Sequence, residues 1–219
     1  MKGKVSLRAV YQRLHRRYGP QHWWPGDSAF EVMVGAVLTQ NAAWVNVERA
    51  IANLAGAGCL DARLIVEMSP ARLAELIRPS GYFNVKARRL QNLCRWLLES
   101  GGLDALEALE TEVLRRAILS VNGVGPETAD DIMLYAFARP VFVIDAYTRR
   151  IFARLGLLRG TEPYEELRHM FEHGLRGDSA LYNEYHALIV RHAKVACKPR
   201  PLCDNCCLAN VCPRVAGAV

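Results

Sequence analysis

The sequence predicts an all-α protein on three observations. Apolar residues recur at helical spacing through nearly the whole chain, helix-start signals precede those runs, and no alternating strand series or hairpin turn interrupts them. One stripe comprises Leu7, Val10, Tyr11, Leu14 and Tyr18, and another Leu90, Leu93, Cys94, Leu97 and Leu98. Ser28 and Glu31 have the capping-box spacing ahead of the run VMVGAVL, and Ser69 precedes Pro70 as an N-cap precedes proline at the first helical position. Breaks at GPQHWWPGD, GAGC, RPSGYF, SGG, NGVGP, LLRGTEP and RGD divide the chain into about ten short helices. The strand-like run VFVI, residues 141–144, has no partner strand and reads as buried irregular chain or the start of a helix.

A chain of 219 residues, 51% hydrophobic, can bury one large core or two smaller packed ones. The beginning, MKGKVSLRAVYQRLHRRYG, has charge scattered through it and no apolar run long enough for a signal peptide or membrane span, so a cytoplasmic protein is expected. Net charge is +6, and the 28 cationic residues include only five lysines, so arginine dominates. Arginine suits bidentate contact with phosphate, although a solubilising surface would carry the same charge. The seven cysteines are unevenly placed, with Cys59 and Cys94 alone in helical patterns and the other five between Cys197 and Cys212. An odd count with terminal clustering points to a metal or cluster site rather than a disulfide framework.

The stretch VNGVGPETADDI carries the first functional signal. Gly123 and Gly125 can take backbone angles closed to other residues, and Pro126 is preset for the first helical turn. Such a hairpin, Gly123, Val124 and Gly125, turns N–H groups toward an anion at a positively polarised helix end, or serves as a purely architectural corner. Further along, VFVIDAYTRRIFARLG places Asp145 at the start of a helix, as an N-cap whose carboxylate the helix-end N–H groups keep ionised. An ionised carboxylate beside a sugar can stabilise a developing oxocarbenium ion or orient water.

Glycine hairpin, helix and aspartate in this order resemble the helix-hairpin-helix DNA glycosylases of the endonuclease III superfamily. The resemblance extends through FEVMVGAVLTQNAAWVNV, GYFNVKARRL, VIDAYTRRI and the terminal cysteines, nearly the whole chain. It implies two helical domains: a six-helix domain over 25–138 that carries the hairpin, and an iron-sulfur domain built from 1–24 and 139–219. Double-stranded DNA with a damaged base would bind along the groove between them, with the protein acting as a monomer at the nucleoid and no membrane involved.

In endonuclease III the residue two places after the second hairpin glycine is a lysine that forms a Schiff base with the sugar. Here that position is Glu127, which cannot form an imine, and no lysine lies between Lys86 and Lys194. Asp145 with a water is the equipment of a glycosylase that stops after base removal. Glu127 would help to position that water, or serve only as a favourable acid in a helix's first turn.

The segments WWP, LTQN before an aromatic residue, RPSGYFN, GVGPETAD and LYA are similar to the 3-methyladenine branch of the superfamily. That similarity implies a base pocket of Trp23, Trp24 and Trp44, whose ring faces suit an alkylated, cationic purine. It also implies a wedge at Gln40 and Asn41, entering the duplex as the nucleotide turns out. Tryptophan packing at a domain junction and helix-end hydrogen bonding are the structural alternatives.

Cys197, Cys203, Cys206 and Cys212 are separated by five, two and five residues, a strong ligand pattern that zinc would also accept. The superfamily resemblance favours a 4Fe-4S cluster, although the family's usual first gap is one residue longer and Cys207 competes with Cys206 as third ligand. Lys198 and Arg200 lie on the loop that a cluster would pin, where the family meets the DNA backbone. His169 and His173 read as surface histidines, and the pairs Arg88 and Arg89, Arg115 and Arg116, and Arg149 and Arg150 as phosphate contacts or solvated faces. The sequence therefore predicts a monofunctional glycosylase for 3-methyladenine-type purines. The rivals are a glycosylase with lyase activity on oxidised pyrimidines, a mismatch thymine or uracil glycosylase, and a non-catalytic damage-binding protein.

Overall fold

The computed structural model describes residues 5–23 and 26–213. Among these, every regular element is helical. The chain divides into two compact units, Trp24–Arg139 and the combination of Met1–Trp23 with Pro140–Val219.

In the unit Trp24–Arg139, α2 (Ala29–Leu38) starts at Ser28, whose hydroxyl accepts from the Glu31 N–H at 3.1 Å. Every residue from Val32 to Leu38 is buried, so this helix is apolar on all sides and forms the centre of its unit. Around it come α3 (Trp44–Gly56), α4 (Ala62–Glu67), α5 (Pro70–Leu76), a 3-10 turn (Arg78–Ser80), α6 (Phe83–Glu99), α7 (Gly102–Glu107), α8 (Thr111–Leu119) and α9 (Pro126–Asp131). Several of these span only six or seven residues, so the layout is cut more finely than six long helices. Of the predicted stripe on α6, Leu90, Leu93, Cys94 and Leu97 are buried while Leu98 is exposed.

The buried Lys86 holds this unit together in an unusual way. Its ammonium donates to the Leu38 carbonyl at 2.7 Å and to the Ser80 carbonyl at 2.6 Å, capping the end of α2 and the 3-10 turn at once. Burial, helped by the Arg89 charge, lowers its pKa to about 8.

The two arms of the glycine hairpin, α8 and α9, are joined by a buried fork. Arg115 Nε and Nη2 donate to Asp130 Oδ1 and Oδ2 at 2.6 and 3.1 Å. Asp130→Ala removes both of these bonds from a buried guanidinium and is expected to destabilise the protein by about 3–5 kcal/mol in thermal or denaturant melting. An Arg115→Met/Asp130→Leu double variant should lose much less.

α9 passes directly into a π-helical turn (Ile132–Ala136), as happens often at functional segments. Two loops lack the glycine and proline that mark the predicted breaks. After α2, Asn41 takes a left-handed conformation (φ +53°), and between α7 and α8 the chain turns at Ala108–Glu110.

In the other unit, α1 (Leu7–Tyr18), α10 (Ala146–Arg154), α11 (Tyr164–Leu175) and α12 (Ser179–Val195) surround an aromatic core. Phe142 stacks on Phe171 with ring centroids 4.6 Å apart, and Phe152 meets Phe171 edge-on at 4.8 Å. The run VFVI crosses this core as extended chain, fully buried, with no neighbouring strand among the described residues. Side chains satisfy its backbone instead. The Phe142 N–H donates to Glu172 Oε1 at 3.0 Å and the Ile144 N–H to the Tyr164 hydroxyl at 3.3 Å. Asp145 therefore follows a segment fixed on all sides.

Candidate active site

Asp145 is the N-cap of α10: its Oδ1 accepts from the Thr148 N–H at 2.6 Å. Its Oδ2 lies 3.6 Å from His186 Nε2 on α12, and the carboxylate side chain is recessed, 12% exposed. Burial pushes the carboxyl pKa up. The His186 imidazole and the Thr148 N–H outweigh that and hold it below the ordinary value. Asp145 is thus ionised at neutral pH.

The Trp23 ring lies beside His186, with centroids 5.8 Å apart and planes tilted by 34°. Trp23, His186 and Asp145 form a row from an aromatic face to a carboxylate. His186 is a site residue that the sequence barely marks. Its only signal is an imidazole among Tyr182, Tyr185 and Ile189 on the buried side of α12, which resembles ordinary core packing. His173 Nδ1 donates to the His169 carbonyl, 2.8 Å away on the same helix.

The other tryptophans divide differently. Trp24 lies outside the described residues. Trp44 opens α3 in the Trp24–Arg139 unit, where its Nε1 donates to Glu48 Oε1 at 2.8 Å. Its ring rests over Gly35, where an added Cβ would come within 3.4 Å of it, so one edge packs on α2 while the rest stays partly accessible.

In the hairpin the two glycines serve different ends. Gly123 has φ +96° and an added Cβ would meet the Arg89 side chain at 2.3 Å, so both conformation and space demand glycine. Gly125 does not take a restricted angle, contrary to the sequence expectation: its φ is −94°, and nothing lies within 4 Å of an added Cβ. Its missing side chain leaves room in front of the backbone. The Val124 N–H is used inside the turn, donating to the Val121 carbonyl at 3.0 Å, and the Val124 side chain is buried. Gly123→Ala is expected to destabilise by about 1–3 kcal/mol. Gly125→Ala should melt like the parent protein, so that any loss of ligand binding in it reports on the hairpin's outer surface.

Glu127 sits exposed in the first turn of α9. Gln40 is drawn into the hairpin: its Nε2 donates to the Gly123 carbonyl at 3.2 Å and to Thr128 Oγ1 at 2.9 Å, while Arg89 donates to its Oε1. Asn41 is exposed beside it. Tyr82, also missed in the sequence, is 72% exposed and held at φ +47° before α6, an unusual position for a large aromatic residue.

Cys197, Cys203, Cys206 and Cys212 line one cavity together with Arg154 and His192, and Cys207 is not among its walls. Arg154 Nη1 approaches Cys197 Sγ at 3.2 Å and donates to the Lys198 carbonyl at 2.6 Å, while Nη2 donates to the Pro199 carbonyl at 2.9 Å. Arg150 Nε donates to the Cys197 carbonyl at 3.0 Å. The loop is thereby fastened to α10, leaving Lys198 and Arg200 exposed. Among the described residues no three His, Cys, Asp or Glu side chains converge as a single ion requires.

Residues 34–176 match the HhH-GPD superfamily base excision DNA repair protein family. The chain belongs to this family. A Methanocaldococcus jannaschii protein provisionally named a DNA repair glycosylase is 47% identical over 206 residues, covering 93% of this chain and 94% of that protein. Endonuclease III of Thermotoga maritima is 30% identical over 184 residues, 84% of this chain and 82% of its own. The structure of H. pylori 3-methyladenine DNA glycosylase bound to 1,N6-ethenoadenine superposes with TM-score 0.76 at 29% identity, over 87% of this chain and 98% of that one. Family membership and this likeness agree with the all-helical fold and with a repair role.

Proposed function

We propose that this HhH-GPD protein is a monofunctional DNA glycosylase that flips an alkylated purine of the 3-methyladenine type out of duplex DNA and hydrolyses its N-glycosidic bond. The observation that carries the reading is the ionised, partly open Asp145 with His186 and the Trp23 ring beside it. An N-alkylated purine is cationic in the nucleotide and departs as a neutral base, taking the bonding electron pair. The sugar then carries the positive charge, which the Asp145 carboxylate stabilises until water adds at the same carbon and releases its proton. Trp23 offers a ring face to the cationic base. His186 is a positioning residue that keeps the carboxylate ionised. Asn41 and the exposed Tyr82 are proposed to meet the duplex where the nucleotide leaves the stack, next to Gln40, whose amide is held by Gly123, Thr128 and Arg89, and the hairpin backbone and Lys198 and Arg200 to meet phosphates.

Glu127 in place of an amine supports base removal without strand cleavage, as does the enclosure of Lys86, whose ammonium is committed to two carbonyls. Base release from alkylated duplex DNA, with no borohydride-trapped adduct, is the expected result. A covalent adduct would favour the second reading, a glycosylase with lyase activity, for which the likeness to endonuclease III speaks.

The four cysteines around one cavity suit a multi-atom cofactor better than zinc, whose ligands converge within about 2.3 Å of the metal. Cys197, Cys203, Cys206 and Cys212 would hold a 4Fe-4S cluster, with Cys206 rather than Cys207 as third ligand. When bound, the cluster supplies four fixed attachments that hold the loop in shape. Broad visible absorbance of the purified protein, lost in Cys206→Ser and kept in Cys207→Ser, is expected.

A further inference from the structure

We propose that Arg88, Asn92 and Arg95 on α6 form a second phosphate-binding surface that grips the backbone of duplex DNA beside the glycine hairpin. The inference rests on the reading that this chain acts on duplex DNA, and is independent of which base it removes. An open cleft of about 630 Å³ in the Trp24–Arg139 unit is lined by Arg88, Arg89, Asn92, Arg95, Asn122 and Gly123, with no carboxylate in its walls. Three guanidinium groups facing one cleft repel one another until an anion enters.

The cations differ in how they are held. Arg89 is committed to Gln40 and packs on Gly123. Arg88 is exposed and makes no hydrogen bond or ion pair among the described residues, and Arg95 has only a long contact of 3.4 Å to Asn92 Oδ1. Elsewhere in the unit, Arg72 is paired with Glu75 and Arg115 with Asp130. Asn92 Nδ2 donates to the Asn122 carbonyl at 3.2 Å, so the cleft is continuous with the hairpin loop.

Spacing selects a polymer. Arg88, Asn92 and Arg95 recur at i, i+4 and i+7, on one helix face, which separates the two arginines by about 10 Å along the axis. One phosphate cannot span that distance, whereas duplex DNA presents charges on each strand every ~3.4 Å along its axis and can meet both forks. The cleft extends the phosphate footprint from the hairpin onto α6.

The test uses the full chain and an undamaged duplex, with affinity followed by fluorescence anisotropy from low to moderate salt. Arg88→Gln/Arg95→Gln should bind about tenfold more weakly, and the slope of log affinity against log salt should become shallower by about one to two. Arg72→Gln, which removes a paired charge outside the cleft, should leave the slope unchanged. Inorganic phosphate and a mononucleotide at millimolar concentration should not compete. An unchanged slope in the double variant, an equal loss in Arg72→Gln, or efficient competition by mononucleotide would overturn the proposal. Because undamaged DNA is the probe, absence of base release by the parent protein would refute the glycosylase reading while leaving this measurement intact.

Discussion

Replacing Asp145 by asparagine is expected to slow base release from alkylated duplex DNA by about 10²–10⁴-fold in single-turnover assays, without loss of folding or DNA affinity. Asparagine caps a helix nearly as well as aspartate, so the hydrogen bond to the Thr148 N–H survives and α10 keeps its start. What disappears is the negative charge facing the sugar. A variant that still released base within a few-fold of the parent rate would remove Asp145 from the chemistry and leave the hairpin and cysteine loop as parts of a binding protein.

Replacing His186 by alanine should move the acid limb of the pH–rate profile upward, so that activity is lost at a higher pH than in the parent. Burial alone raises the Asp145 pKa, and the imidazole is the chief group opposing it. The folded-state pKa of Asp145 in the parent is below its unfolded value, so its contribution to stability is present above the unfolded pKa and fades as pH falls through the folded one. In His186→Ala that contribution shrinks or reverses, so the melting temperature should fall less steeply on acidification than in the parent. His186 side-chain burial of 5% exposed means that alanine also leaves a cavity, so melting alone is ambiguous. The shift of the pH–rate limb decides between an electrostatic role and mere packing, which would lower the rate equally at every pH.

Much of this molecule can be read from local chemistry. Ser28, Ser69 and Asp145 announce their helices because a short polar side chain before an apolar run has one favourable use, and each does cap its helix. The position of Asp145 was readable for the same reason. Its neighbour His186 was not, because the two are brought together by packing of α12 on α10 across 41 positions of sequence. A histidine on a buried face carries no mark of what it will touch. Gly125 misled for the opposite reason: glycine in sequence signals either conformational need or room for a ligand, and only the backbone angle separates the two. Gln40 reads from sequence as a residue free to enter DNA, yet its amide is already engaged with Gly123, Thr128 and Arg89, three partners from distant segments. The loops after α2 and α7 escaped notice because Asn41 and Ala108 break helices without the residues that usually do so.

α10 behaves as a rigid lever. Its first turn presents Asp145, and Arg150 and Arg154 further along grasp the cysteine loop by its carbonyls. A lever about 13 Å long transmits a tilt from one end to the other. A change that slackened the loop would therefore swing the carboxylate, and a protein altered more than ten ångströms from Asp145 would behave as though altered at Asp145 itself.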